Sequence, residues 1–291
     1  MKKVIVIVGP TASGKTALSI SMAQAFQGEI INGDSVAIYR KLDIGSAKIK
    51  EDEKQGIPHH LIDLRDPSDP YSVYQFQKDV RKLIDVIERP IIVGGTGLYI
   101  KAALYDYDFT ENERSDAFDR HYESYSNEAL YQELIEKDPA ITIDQHNRRR
   151  LLRALEQAQS GHLRSSKTNK DRCLYDCLVL YLNLDRDVLE QRLKCRLEEQ
   201  MKLGFIDEVK ALDQQGIVVN AIGYREIHEY IHGQMSYQET FDAIIKASKR
   251  LAKKQKTFFK NQMTPLFLDA TDPDLIQKAK EAIHLFLEDP S

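Results

Sequence analysis

The sequence predicts an α/β fold, in which a P-loop-type parallel sheet is flanked by helices, and three observations support this prediction. Short apolar runs recur along the chain, helical patterns separate them, and a glycine-rich segment joins the first run to the first helix. The predicted strands are residues 4–8, 29–32, 90–93 and 178–184. The predicted helices are residues 15–26, 71–88, 186–201, 205–214, 224–231 and 236–260.

Each predicted strand is an apolar run that stops where the chain can turn. The first reads VIVIV and ends at Gly9-Pro10, and a strand that is apolar at every position is typical of the interior of a parallel sheet. The other three runs also end at Gly or Asp. Because helical patterns alternate with these runs, we expect a doubly wound arrangement.

A polar, helical segment interrupts this alternation. Residues 107–172 contain no predicted strand. Their sequence includes DAFDRHYESYSNEALYQELIEKD and then NRRRLLRALEQAQSG. We therefore predict an all-helical insertion domain at 107–172 and a core formed by residues 1–106 and 173–291.

Composition limits the classes of function. The chain has 291 residues, and 41 basic against 45 acidic residues give a net charge of −4, so a site for a polyanion has to be local. No run approaches the roughly 20 apolar residues that span a bilayer, so we expect no membrane association. Three cysteines cannot all pair, which favours a reducing compartment and a cytoplasmic location.

The strongest motif is GPTASGKT, which matches G-x-x-x-x-G-K-[ST] between a predicted strand and a predicted helix. Such a loop surrounds phosphate oxygens with backbone amides, while its lysine neutralises charge and its final hydroxyl can bind Mg²⁺. We therefore predict a diphosphate or polyphosphate site with Thr16 as a metal ligand. The residues of this site are Gly9, Pro10, Thr11, Ala12, Ser13, Gly14, Lys15 and Thr16.

Asp34 lies two residues after the predicted strand at 29–32 and is the candidate acid of the site. The strand at 90–93 runs instead into Gly94-Gly95-Thr96-Gly97, without the metal-binding aspartate of a conventional nucleoside-triphosphate hydrolase. The carboxyl ends of strands line the ligand crevice of a doubly wound sheet, so we expect Asp34 to face the same cleft as the phosphate loop.

Two basic segments stand out from the acidic average. Residues 147–153 contain four arginines, and residues 246–260 contain seven basic residues and no acid. In the predicted helix that contains the second segment, Ile244, Leu251 and Phe258 recur seven apart, so we expect them to form its packed face. Either segment alone can be a solvated face, but beside a phosphate loop they also favour an RNA-binding surface.

Five co-linear motifs resemble the bacterial tRNA dimethylallyltransferase family, and the resemblance extends over nearly the whole chain. They are GPTASGKT at 9–16, INGDSVAIY with LDIGSAK at 31–48, PHHLID at 58–63, IVGGTGLY at 92–99 and AIGYRE at 221–226, followed by LAKKQ at 251–255. The resemblance implies a Mg²⁺-dependent enzyme that transfers a dimethylallyl group from dimethylallyl diphosphate to N6 of the adenosine 3′-adjacent to the anticodon of tRNA. It also implies that the insertion grips the anticodon stem-loop. We expect the enzyme to be a monomer.

The family's functional residues correspond to positions in this chain. The resemblance implies Asp34 as general base, with Thr16 and Arg225 as further catalytic residues. It further implies that the extruded nucleotide and the RNA backbone contact Asp34, Ser35, Val36, Ala37, Thr96, Arg149, Arg150 and Arg153. His59 and His60 are not required by this chemistry, so we expect them to be structural.

Some positions depart from the family pattern. Asp144-Gln-His-Asn147 replaces a Pro-Asn-Asp-Pro-like turn, and Lys249 and Lys254 stand where arginines are usual. Lysine keeps the charge but loses the bidentate fork of arginine. Two alternatives stay open from the residues alone. One is a small-molecule or nucleoside kinase, in which the arginines of residues 184–196 clamp a phosphoryl group, and the other is a non-catalytic RNA-binding P-loop protein.

Overall fold

A computed structural model describes residues 1–107, 116–166 and 172–289 of the chain. These residues fall into two compact units, which we call unit 1 (residues 1–104 and 173–291) and unit 2 (residues 105–172). Residues 108–115 and 167–171 of the predicted insertion lie outside the described residues. Within the described ranges, each helix is too short or too polar to span a lipid bilayer.

Unit 1 is built on one six-stranded parallel sheet with the strand order β3-β2-β4-β1-β5-β6. The strands are β1 (Lys3–Val8), β2 (Glu29–Asn32), β3 (His59–His60), β4 (Pro90–Gly94), β5 (Asp176–Asn183) and β6 (Leu266–Asp269). Its helices are α1 (Lys15–Phe26), α2 (Val73–Val86), α3 (Gly97–Leu104), α7 (Arg186–Lys202), α8 (Phe205–Asp213), α9 (Tyr224–Ile231), α10 (Tyr237–Gln262) and α11 (Leu275–Glu288), with a 3₁₀ turn at Asp52–Lys54.

The sheet is buried on both faces, as its uninterrupted apolar strands predict. Ile5 and Ile7 of β1 pack against α1 and α11 through Leu18, Met22 and Ile283. The helices α7 to α10 form a second apolar cluster, whose buried members include Leu193, Phe205, Tyr224 and Ile245. The predicted α/β class with a parallel sheet and flanking helices is confirmed.

Unit 2 has a small core of its own. Its described helices are α4 (Asp116–Tyr122), α5 (Asn127–Lys137) and α6 (Arg148–Gln159). Tyr122, Leu130, Leu134, Leu151 and Leu155 are buried together between these helices. The RNA-gripping role expected of residues 107–172 stays a prediction.

Several elements escape prediction from sequence. Strand β3 has only two residues, and the edge strand β6 leaves Leu266 and Phe267 exposed, so neither produces a run that looks like a buried strand. The predicted packed face of α10 is partly wrong. Leu251 is 39% exposed, whereas Ala252 and Phe259, one residue further along, are buried. A seven-residue spacing selects a helix face only to within about one residue, because 3.6 residues per turn does not divide seven.

Candidate active site

The phosphate loop lies between β1 and α1, as the motif predicts. A Cβ at Gly9 would lie 2.8 Å from the carbonyl oxygen of Leu182, so only glycine fits at the end of β1. Gly14 has a φ of 87° immediately before Lys15 starts α1, and glycine adopts this left-handed conformation without strain. The Lys15 Nζ donates to the carbonyl oxygens of Gly9 at 3.0 Å and Pro10 at 2.7 Å. Main-chain carbonyl groups of the phosphate loop therefore fix the position of the Lys15 side chain.

The Lys15 side chain has a pKa below the usual value for lysine. Its pKa is lowered to about 8, chiefly by burial, while the nearby Asp34 carboxylate opposes the shift and Arg196 adds to it. A buried ammonium group is stabilised by an anionic neighbour, because a bound phosphate favours the charged form of the amine. The electrostatics around Lys15 therefore favour an anion in the loop.

Asp34 is fixed by its neighbours on the loop after β2. The buried Asn32 accepts a hydrogen bond from the Asp34 amide at 3.0 Å, and its Nδ2 donates to the carbonyl oxygens of Asp34 and Leu61, each at 2.9 Å. One carboxylate oxygen of Asp34, Oδ1, accepts from the Val36 amide at 2.9 Å. Among the described residues, the other oxygen, Oδ2, has no hydrogen-bond donor. The carboxylate is therefore oriented while one oxygen stays available to a substrate.

The loops after β2 and β4 pack directly against each other. A Cβ at Gly94 would lie 2.2 Å from the carbonyl carbon of Gly33, so the two loops approach closely only because glycine occupies the position. The Thr96 Oγ1 accepts from the Ser35 amide at 3.1 Å and bonds to the Ser35 hydroxyl at 3.3 Å. Thr96 therefore supports the segment on which Asp34 lies.

A cavity of about 460 Å³ in unit 1 brings these loops together. The predicted site residues that line it are Thr11, Lys15, Thr16, Asp34, Ser35, Val36 and Ala37. Among the described residues of unit 1, the predicted site residues outside this lining are Gly9, Pro10, Ala12, Ser13, Gly14, Thr96 and Arg225. The phosphate loop and the candidate base thus share one cavity, as the strand-end argument predicts.

One arginine of α7, Arg196, lines this cavity, and Arg225 of α9 does not. The Arg225 side chain is 53% exposed and forms an ion pair with the buried Glu226. Arg196 lines the cavity, donates to the carbonyl oxygen of Ser46 at 3.2 Å, and has its pKa lowered by burial. Arg192, one turn earlier, donates to the carbonyl oxygen of Ala12 in the phosphate loop at 3.4 Å. The sequence associates these arginines only with the kinase alternative, and the catalytic role of Arg225 stays a prediction.

Helix α10 places Gln255 and two apolar side chains at the cavity, and the residue types alone do not predict this placement. The Gln255 Nε2 donates to the carbonyl oxygen of Gly95 at 2.9 Å, and its buried Oε1 has no partner among the described residues. Gln255 lines the cavity, as do Ile244 and Leu251. The only sequence signal was the LAKKQ motif, which ends at Gln255. A buried acceptor without a donor is costly, so Gln255 is a candidate ligand contact.

The two adjacent histidines have different surroundings. His60 Nε2 bonds to the Glu29 carboxylate at 2.7 Å across β3 and β2, which is a structural contact. His59 lines the cavity, and its Nδ1 bonds to the carbonyl oxygen of Ile57 at 2.8 Å. Burial lowers the pKa of His59, which disfavours a charged imidazole.

The arginines of α6 lie in unit 2. Arg149 and Arg150 are exposed, and Arg153 pairs with Glu156 at 2.6 Å. Arg164 extends the cluster, because its pKa is lowered by burial and by the charges of Arg153 and Arg150. Arg148 instead donates to main-chain carbonyl oxygens of residues 122–125 and is structural. The surface formed by Arg149, Arg150, Arg153 and Arg164 is here called the arginine surface.

A parallel α/β sheet whose P-loop motif shares one cavity with an oriented carboxylate defines a P-loop-type protein with a candidate phosphate site. The family model described as IPP transferase matches residues 37–262. The chain belongs to this family.

Individual proteins resemble the chain over nearly its whole length. The tRNA dimethylallyltransferase of Acholeplasma laidlawii is 48% identical over 288 residues, which cover 99% of each chain. The crystal structure of a full-length tRNA isopentenylpyrophosphate transferase from Bacillus halodurans matches with a TM-score of 0.77 and 36% identity, and the match covers 99% of this chain and 97% of that one. A eukaryotic dimethylallyltransferase acting on tRNA matches with a TM-score of 0.82 and 27% identity, over 97% of this chain and 78% of the other.

Proposed function

We propose that this chain is a tRNA dimethylallyltransferase, an enzyme of the prenyltransferase class. It transfers the dimethylallyl group of dimethylallyl diphosphate to N6 of the adenosine 3′-adjacent to the anticodon and releases diphosphate. Similarity to enzymes of this name over nearly the whole chain supports the proposal. The observation that carries it is that Lys15 and Asp34 line one cavity, with a carboxylate oxygen of Asp34 oriented by the Val36 amide.

In this reaction Asp34 acts as general base. The exocyclic amine of adenine is a poor nucleophile because its lone pair is delocalised into the ring, so removal of a proton as the bond forms assists the attack. The bond from N6 to the first carbon of the dimethylallyl group forms, the bond from that carbon to the diphosphate oxygen breaks, and the N6 proton passes to Asp34. The hydrogen bonds that Asn32 donates to and accepts from the Asp34 main chain hold it in place for this step.

The phosphate loop binds and stabilises the leaving diphosphate. Charge accumulates on the diphosphate oxygens as the bond breaks, and preorganised amides and cations stabilise that charge. Lys15 supplies a cation that is already held in the loop, and Arg196 supplies a second from α7. Arg225 is a further candidate for this role.

The residues present fit Mg²⁺. Thr16 is an exposed hydroxyl in the first turn of α1 and lines the cavity beside Lys15. Mg²⁺ prefers oxygen ligands and is commonly bound through one or two protein groups together with substrate phosphates. Thr16 would therefore hold the ion, which when bound neutralises the charge of the diphosphate oxygens.

Recognition of tRNA requires both a base pocket and a grip on the backbone. The target adenosine has to leave its stack, which costs a few kcal/mol that pocket contacts repay. The segment from Asp34 to Ala37, supported by Thr96, is the proposed contact for the extruded nucleotide. The arginine surface of unit 2 is the proposed contact for the RNA backbone. We expect the enzyme to act as a monomer in the cytoplasm.

Label transfer tests this function. The full chain with Mg²⁺ and radiolabelled dimethylallyl diphosphate should label unmodified tRNA, and replacing the adenosine 3′ of the anticodon by guanosine should abolish the labelling. A parallel mixture of ATP and nucleosides without RNA should show no ATP consumption. Consumption of ATP without labelled tRNA would support the kinase alternative, and tight RNA binding with neither product would support the binding protein.

A further inference from the structure

A second cluster of chemically active side chains lies at the opposite end of α9 from the cavity. Asp213 ends α8, His228 lies in the last turn of α9, and His232 directly follows that helix. Their ligand atoms all lie within 4.8 Å of one another. The proposed prenyl transfer uses none of these three residues.

The two histidines share one helix face. His232 lies four residues after His228, and the His232 amide donates to the His228 carbonyl oxygen at 3.3 Å, so the helical turn continues between them. Their ring centroids are 4.5 Å apart. The segment reads His228-Glu-Tyr-Ile-His232, and this H-E-x-x-H spacing on a helix is the arrangement that brings two imidazoles to one zinc ion.

The carboxylate completes a three-ligand set. Asp213 Oδ1 lies 3.1 Å from His228 Nε2 and 3.2 Å from His232 Nε2. In a tetrahedral zinc site with bonds of 2.0–2.2 Å, neighbouring ligand atoms are about 3.3 Å apart. Two edges of the cluster are close to this length, and no ligand atom of the three residues lies more than 4.8 Å from another.

We infer that Asp213, His228 and His232 form a binding site for a zinc-class divalent cation, with solvent in the fourth position. Three protein ligands and one open position are a common zinc arrangement. Zinc binds neutral imidazole and ionised carboxylate, so each ligating Nε2 carries no proton in the bound state. The bound ion joins the end of α8 to the end of α9, the helix whose first residue, Tyr224, lines the cavity.

An ion pair without a metal is the competing interpretation, since hydrogen bonds between imidazole and carboxylate have similar lengths. The chain also offers another place for zinc. The Sγ atoms of Cys173 and Cys177 lie 3.7 Å apart, and thiolates bind zinc well. A decisive experiment has to separate these three cases.

The test is calorimetric titration of the full chain with zinc chloride, in excess Mg²⁺ and on a Cys173→Ser/Cys177→Ser background. We expect one zinc ion per chain. His228→Asn and His232→Asn should each weaken binding by at least about tenfold, because even removal of a group that only supports a ligand costs 10- to 100-fold. His232 is exposed, so its replacement leaves the fold intact.

His284→Asn is the matched control. His284 also faces a carboxylate four residues away, with Nε2 3.2 Å from Glu288 Oε1, but it has no second imidazole. We expect it to bind zinc like the background protein, and Co²⁺ should give tetrahedral absorption bands that are lost in the His228 and His232 variants only. The inference is overturned if the background protein binds no zinc, or if either ligand variant binds zinc as tightly as the His284 control.

Discussion

The held, partly buried charges in the cavity of unit 1 differ from the exposed Arg149 and Arg150 on the arginine surface of unit 2. In the cavity, Lys15 and Asp34 are each held by main-chain groups, and burial shifts the pKa of the lysine. On the arginine surface, Arg149 and Arg150 are exposed on the first turn of α6. Chemistry benefits from fixed charges in a partly desolvated site, whereas a grip on an RNA backbone needs only mobile positive charge.

The two regions also differ in the contacts that hold their backbones in place. Gly9 and Gly94 permit backbone approaches that a Cβ would block, so the cavity is specified by the close packing of strand ends. In unit 2, Asn147 caps α6 by accepting from the Arg150 amide at 3.2 Å, and Arg148 ties the helix to residues 122–125. We therefore expect substitutions in the cavity to affect rate and donor binding, and those on the arginine surface to affect tRNA binding.

The largest expected effect is that of Asp34→Asn. Loss of a general base costs about 10²- to 10⁴-fold in rate, while tRNA affinity should stay nearly unchanged because the arginine surface is intact. Single-turnover label transfer and filter binding measure the two quantities. Asp66→Asn, which removes an exposed carboxylate paired with Arg40, is the control. A rate equal to the wild type would remove Asp34 from the mechanism.

Lys15→Met should act next most strongly, on the donor. A hydrogen bond to a charged group contributes about 1.5–3 kcal/mol, so we expect donor affinity to fall by about tenfold to a hundredfold. Calorimetry with an unreactive analogue of dimethylallyl diphosphate provides the measurement. Lys202→Met at the end of α7 serves as the matched control, and equal donor affinity in both variants would refute the phosphate-loop assignment.

A smaller effect should follow from pH. Because the pKa of Lys15 is lowered to about 8 by burial, the ammonium loses its proton as pH rises through that value in the free enzyme. Donor affinity should therefore decrease above about pH 8, by up to about tenfold per pH unit, toward that of Lys15→Met. If Lys15→Met showed the same pH dependence, another group would be responsible.

The smallest effect is expected from Arg149→Ala/Arg150→Ala. Each lost phosphate contact should lower the slope of log affinity against log salt by about 0.7–0.9 units. Measuring tRNA affinity at several salt concentrations tests this, with Lys137→Ala in the same unit as the control. An unchanged slope would mean that these arginines only solvate the surface.

The features that depend on residues close together in the chain could be predicted from the sequence. The phosphate loop needs a strand, two glycines, a lysine and a helix in order, and each of these lies within residues 3–26. Asp34 was predicted because strand ends of a parallel sheet meet at one edge. The fold class followed from the alternation of apolar runs and helices.

Other parts of the site depend on packing that no local pattern records. In the sequence, Arg196 is one of several basic residues of α7. Its place at the site depends on its burial beside Ser46, whose carbonyl oxygen it contacts. Asn32 and Gln255 matter through partners 29 and 160 positions away, Leu61 and Gly95. Leu251 was expected to pack inside, and a rotation of about one residue places it on the cavity wall.

The division of labour between the two regions is tested most directly by single-turnover label transfer at saturating tRNA. We expect Arg149→Ala/Arg150→Ala to regain the wild-type rate once enough tRNA is supplied, because only binding is impaired. Asp34→Asn should stay slow at any tRNA concentration. Recovery of Asp34→Asn at high tRNA, or a slow arginine variant under saturation, would contradict the assignment of chemistry to the cavity and of RNA binding to the arginine surface.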